Sequence, residues 1–192
     1  MLHLKLPTDP RWVDVATISI ADILTDHAYC EQKAASSCIS LIVEYAHLED
    51  LVDTLTPVVS EEWSHFEMVL EQLRKRNLPL GKQRRDEYVV ALQKQVRKGD
   101  VKHKLTDQLL VCALIEARSC ERFKLLSQGV EDQELKKFYY DLMVSEARHY
   151  TNFISLARKY QAREIVDARW QEFLKMEAEI ISQLTYRPNR IH

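Results

Sequence analysis

Glycine and proline are scarce in this chain, at 3 and 5 of 192 residues. Turns draw on those two residues for their backbone conformations, so the shortage excludes a many-stranded sheet. No run of 18 apolar residues occurs, which argues against a membrane-spanning helix. The opening MLHLKLPTDPRWVD lacks the basic region, apolar stretch and small-residue cleavage site of a signal peptide, and a soluble, cytoplasmic protein is expected. The four cysteines, Cys30, Cys38, Cys112 and Cys120, form no C-x-x-C pair. They fall inside helical patterns and are expected as reduced core residues. No G-x-G-x-x-G fingerprint marks a nicotinamide or flavin site. A formal net charge of −2, with 29% charged residues, excludes both a uniformly basic polyanion binder and a disordered acidic tail.

What remains is rich in Leu, Glu, Lys, Arg, Gln and Ala, the residues that lose least on entering a helix. An all-α chain forming a single domain over residues 1–192 follows. Helical periodicity predicts a first helix from Ile20 to Ala46 and a second from Leu48 to Arg76, with a kink at Pro57. The stretch NLPLGK, residues 77–82, closes the second helix. A long connection with one short apolar stretch precedes a third helix from Thr106 to Gln128, which Gly129 stops. A fourth helix begins at the acidic EDQE and extends to Tyr160. A fifth spans Arg163 to Leu184 and ends before Pro188. Short links within pairs and a long one between them describe a four-helix bundle of two helical hairpins joined by a crossover, plus an additional C-terminal helix.

Glu-x-x-His occurs twice, in EEWSH (61–65) and EARHY (146–150). Steps of three and four residues trace the face each helix turns inward. On the second helix this seam is Leu51, Leu55, Val58, Glu62, His65, Val69. On the fourth it is Leu135, Tyr139, Leu142, Glu146, His149, Phe153, Leu156. The first helix contributes Leu24, Ala28, Glu31, Ala35, Cys38, Ile42, and the third Leu109, Cys112, Glu116, Cys120, Phe123. Each apolar stripe is thus interrupted near its middle by a carboxylate, and two of them also by an imidazole. Glu31 and Glu62 are 31 positions apart and Glu116 and His149 are 33 apart, so the hairpins set these groups at comparable heights. Off the seams, Glu61, Glu67 and Glu121 are expected in solvent, and His27, His47 and His103 on the surface.

Four buried carboxylates repel one another and each carries a desolvation cost of about several kcal/mol. Two divalent cations cancel their charge, and the two imidazoles give each cation a nitrogen. A lone Glu from two helices and Glu-x-x-His from two others is the donor set of di-iron and di-manganese carboxylate bundles. Mixed oxygen and nitrogen ligation suits iron, or manganese, better than zinc. Hydroxylase, desaturase, oxidase, peroxide-scavenging and iron-storage chemistry all fit such a site. Outside it, residues 74–104 hold eleven Lys or Arg against three acids, so a segment of +8 sits in a remainder of −10. A basic tract on an otherwise acidic chain suits a polyanionic partner or simply a solubilising crossover.

The stretches DHAYCEQKAAS, LTPVVSEEWSHFEMVLEQLRKRNLPLG, LLVCALIEARSCERFKLL and FYYDLMVSEARHYTNFISLA resemble those of the bacterial transfer-RNA hydroxylase family MiaE, over about residues 10 to 185. The resemblance implies a ferritin-like di-iron monooxygenase that uses O2 to hydroxylate the isopentenyl group of 2-methylthio-N6-isopentenyladenosine beside the tRNA anticodon. It makes Glu31 and Glu116 terminal carboxylates, Glu62 and Glu146 bridging ones, and gives His65 and His149 one iron each. Two external electrons per turnover then imply a separate reductase. Arg74, Lys75, Arg76, Arg84 and Arg85 are the candidate tRNA contacts. A ferritin-like storage or peroxide-scavenging protein, which needs a many-subunit shell, and an oxygenase for a small hydrophobic molecule are the alternatives. A monomer or dimer is expected for the hydroxylase.

Overall fold

The computed structural model describes residues 2–184 and 190–191. Among them there are seven α-helices and no strand. These are α1 (Trp12–Ala16), α2 (Ile20–Glu44), α3 (Glu49–Lys75), α4 (Glu87–Gln93), α5 (Val101–Gly129), α6 (Gln133–Tyr160) and α7 (Arg163–Gln183), with a 3-10 turn at Thr17–Ser19. None is long and apolar enough to cross a membrane. Backbone contacts group the chain into two compact units. One comprises Arg11–Arg84 and Arg187–Ile191, the other Met1–Pro10, Arg85–Tyr186 and His192.

In the first unit α2 packs along α3. Ser19 caps α2 by accepting from the Asp22 amide. Helix α3 ends in a Schellman turn: the Leu78 amide donates to the Leu73 carbonyl and the Asn77 amide to that of Arg74, with Asn77 left-handed at φ 54°. Asparagine, rather than the nearby proline and glycine, therefore makes the stop. The helix continues unbroken across Pro57, and the Thr54 and Thr56 hydroxyls donate back to the carbonyls of Asp50 and Val52, each at 2.7 Å. Beyond α3 the chain is tied to α2. The Gly81 amide donates to Thr25 Oγ1 and the Gly81 carbonyl accepts from the Tyr29 hydroxyl. A Cβ at Gly81 would lie 3.1 Å from Thr25 Cγ2, closer than side chains normally approach. Asp26 accepts from Arg190 Nη1 at 2.7 Å and from the Ile191 amide at 2.8 Å. Pro188 lies outside the described residues.

In the second unit α5 and α6 form the hairpin, and α7 packs on both and on α4. The predicted apolar stretch of the connection is α4, capped by Asp86 and anchored by buried Tyr88 and Leu92. Helix α5 begins at Val101, five residues before the expected Thr106, because Asp100 accepts from the His103 amide and starts the helix there. Asp132 caps α6 in the same way. Gly129 is the last residue of α5 rather than a left-handed stop beyond it.

The neighbours of α5 leave little of it in water. Arg118, fully buried, donates to Glu177 Oε1 on α7 through Nε and Nη2, to Glu121 Oε2 and Thr8 Oγ1 through Nη1, and to the Leu6 carbonyl through Nη2. Glu121 also accepts from the amide and hydroxyl of Thr8. The expectation that Glu121 is solvated is therefore wrong: the N-terminal segment covers it and Arg118 balances its charge.

A second ionic knot holds Asp107, whose carboxylate accepts from Arg97 Nε and Nη2, from the Arg97 amide, and from Arg169 Nε and Nη2. Burial acts to raise the Asp107 pKa, but the hydrogen bonds from Arg169 and Arg97 outweigh it and lower it. A carboxyl with a depressed folded pKa stabilises the fold above its unfolded pKa, and that contribution is lost as pH falls through the folded value. Asp107→Asn is expected to cost about 2 kcal/mol at pH 7. In urea titrations its difference from wild type should shrink below about pH 4. A difference that stays constant with pH would mean that the charge of Asp107 is not what matters.

Candidate metal centre

Helical spacing places the two Glu-x-x-His motifs, and the burial follows the seams. Every seam residue on α3, α5 and α6 is buried, and on α2 only Ile42 is partly exposed, with Leu41 taking the inward position at that end. Glu62 and His65 stand three residues apart on α3, so both project from one face. Glu31 comes from α2 of the same hairpin. Glu62 is 1% exposed and His65 7%. His65 Nδ1 lies 3.7 Å from Glu31 Oε2 and 3.7 Å from Glu62 Oε2. In the second unit Glu116 of α5 meets Glu146 and His149 of α6, with His149 Nδ1 4.0 Å from Glu146 Oε2.

Within each hairpin the three residues offer one ligand atom apiece, all within 4.8 Å of one another. These separations fit a cation between the donors, since atoms each about 2.1 Å from a divalent ion sit roughly 3 to 4 Å apart. Two carboxylates and one imidazole form the oxygen-rich set preferred by iron and manganese. Each triad therefore fits one divalent metal in both chemistry and spacing.

Sequence spacing alone misplaces one residue of the site. His27 was expected at the surface, but it is fully buried, and its Nε2 lies 2.5 Å from Glu31 Oε1. The signal was present, because position 27 is one helical turn before Glu31 and three residues after the buried Leu24. Burial acts to raise the Glu31 pKa, but contacts with His27 and His65 outweigh it and hold this carboxyl well below the usual range. His47 is exposed and His103 half-buried. The cysteines are free thiols, with Cys38, Cys112 and Cys120 buried and Cys30 half-buried.

The basic candidates differ among themselves. Arg74, Lys75 and Arg85 are exposed, with Lys75 paired to Glu71 at 3.0 Å. Arg76 is half-buried and donates to the carbonyl and side-chain oxygens of Gln72. Arg84 donates to the Asp22 carbonyl and lies 3.8 Å from Asp26. Of the other cations in that tract, Arg97 is engaged by Asp107.

The chain is similar to a Pseudomonas putida protein named tRNA 2-(methylsulfanyl)-N(6)-isopentenyladenosine(37) hydroxylase, with 41% identity over 157 residues, covering 82% of this chain and 76% of that one. A Salmonella typhimurium protein of the same name is 30% identical over 227 residues, covering 93% of this chain and 83% of its own. Among solved structures, a Synechococcus protein described as having aldehyde deformylating oxygenase activity superposes with a TM-score of 0.93 at 34% identity, over 98% of this chain and 94% of that one. The fold is accordingly all-α and ferritin-like, as the sequence predicts. The family model for tRNA-(MS[2]IO[6]A)-hydroxylase (MiaE) matches residues 1–192, and the chain belongs to that family.

Proposed function

We propose that this chain is a non-haem di-iron monooxygenase that hydroxylates the isopentenyl group of 2-methylthio-N6-isopentenyladenosine at position 37 of tRNA. The observation that carries the reading is the pair of buried Glu, Glu, His triads, one per hairpin, in a chain of this family. In this reading Glu31, Glu62 and His65 would hold one iron and Glu116, Glu146 and His149 the other, and residues 1–192 act as one domain. When bound, the iron pair supplies the oxidising power to insert one atom of O2 into an aliphatic C–H bond, the other leaving as water with two external electrons and two protons.

The protein groups bind, orient and keep out water. Leu24, Ala28 and Ala35 flank Glu31 on its seam, and Val58 and Val69 flank the α3 motif, so bulk water is kept from the ligands and their charges act in a medium of low dielectric. The histidines enter as neutral ligands, which leaves the four carboxylates to balance four metal charges. A separate reductase delivers the electrons, and the reaction takes place in the cytoplasm, where tRNA is found. Family membership favours this activity over iron storage and peroxide scavenging.

The direct test is anaerobic loading with ferrous iron, addition of reductant and O2, and mass spectrometry of nucleosides from isopentenylated tRNA. A gain of one oxygen on the modified adenosine supports the proposal. Two bound irons that consume O2 and leave the nucleoside unchanged would remove the RNA substrate.

The exposed cations Arg74 and Arg85, with Lys75, Arg76 and Arg84 beside them in sequence, are proposed to contact tRNA phosphates. Arg74→Glu/Arg85→Glu is expected to weaken tRNA binding about tenfold and to lower the slope of log K against log salt by about one for each phosphate no longer neutralised. Iron content should not change. Unaltered affinity and slope would assign these residues to solubility alone.

A further inference from the structure

We infer that His27 is a positioning residue for the metal centre: it holds Oε1 of Glu31 by a hydrogen bond, so that Glu31 presents only Oε2 to the metal. This inference rests on the proposed metal centre. His27 and Glu31 are one turn apart on α2 and both are buried. Nε2 of the imidazole lies 2.5 Å from Oε1, within strong hydrogen-bond range, with the ring N–H donating to the carboxylate. The other oxygen, Oε2, is the one 3.7 Å from His65 Nδ1, on the side where the remaining donors gather. The two oxygens of one carboxylate are thus assigned to different partners.

A glutamate has three rotatable bonds, and fixing one oxygen removes most of the freedom its other oxygen would otherwise lose when metal binds. Residues that orient ligands in this way set metal affinity. The position four residues ahead of Glu116 on α5 is Cys112, so the imidazole at that spacing belongs to Glu31. His27 touches Glu31, and its loss should weaken the metal position that Glu31 serves.

Cobalt(II), added to the metal-free protein and followed by its visible absorption, tests this. Wild type is expected to take up two equivalents. His27→Phe fills the buried volume without a donor and is expected to bind one equivalent as wild type does and the second about 10- to 100-fold more weakly, with an altered spectrum for that site. His27→Gln restores an N–H of similar reach and should recover most of the affinity. Far-UV circular dichroism and thermal unfolding of the metal-free variants should show the helices retained.

Two equivalents bound by His27→Phe with wild-type affinity and spectrum would overturn the inference. So would a His27→Gln variant as weak as His27→Phe, because the hydrogen bond would then not be the cause. A wild-type protein that binds no cobalt would overturn the metal centre itself, and the role of His27 with it. Two equivalents in wild type and an unaffected His27→Phe would leave the centre standing and remove only His27.

Discussion

Alanine in place of Glu62 or Glu146 is expected to leave isopentenylated tRNA without added oxygen. Both carboxylates are buried on the inward faces of their helices, and each is proposed to be a direct ligand of the metal in its own hairpin. Removing one takes a ligand and its negative charge from that metal. The loss should therefore exceed the roughly 100-fold that follows from changing a residue one step further out. Iron per chain, measured by mass spectrometry of the metal, should fall below two.

Stability should move in the other direction. Without metal the clustered carboxylates repel, so the metal-free Glu62→Ala and Glu146→Ala proteins should unfold no more easily than metal-free wild type, although each substitution empties buried space. That combination separates a ligand from a structural residue. A variant that keeps two irons and full turnover would take that glutamate out of the centre.

The largest loss of stability is expected from Arg118→Met, about 3 to 5 kcal/mol in chemical denaturation. Methionine fits the space but donates nothing, and Glu177 and Glu121 are left buried beside it with a charge unanswered. Tyr88 adds to the difficulty. Its hydroxyl donates to the same Glu177 oxygen, and burial together with the nearby Glu177 charge pushes its pKa well above the normal value, so it stays a neutral phenol that hydrogen-bonds the carboxylate without balancing its charge. Arg118→Met/Glu177→Leu should recover part of the loss, since apolar packing often replaces a buried ion pair without net cost. If Arg118→Met costs less than about 1 kcal/mol, the ionic network holds neither α7 nor the N-terminal segment in place.

The fold was legible because its signals are periodic and local. Leu51 to Val69 and Leu135 to Leu156 keep their helical spacing over many turns, and the two Glu-x-x-His pairs interrupt that spacing at buried positions. The six proposed ligands could therefore be picked out one residue at a time. Glu121 could not be placed in the same way, because its face is covered by Thr8, remote in sequence, and spacing along one helix does not report that. His27 was legible in principle, one turn before Glu31 on the same helix, but a lone histidine beside the seam carries no mark of its own. The start of α5 was missed because its cap, Asp100, lies in a highly charged stretch where a single acid carries no special mark. Within the basic tract, composition gave the charge but not its partners, and Arg97 and Arg84 are engaged by neighbours of their own.

The proline in α3 leaves the hydrogen-bond ladder of that helix one donor short. Pro57 has no amide to donate to Asp53, and the hydroxyls of Thr54 and Thr56 share carbonyls one turn back, which loosens the ladder in the turns before residue 60. Glu62 and His65 lie just beyond those turns, on the part of the helix that ends in the Schellman turn at Asn77. The turns on the near side of Pro57 hold Leu51 and Leu55, which only fill space, so the missing hydrogen bond falls where no proposed ligand depends on it.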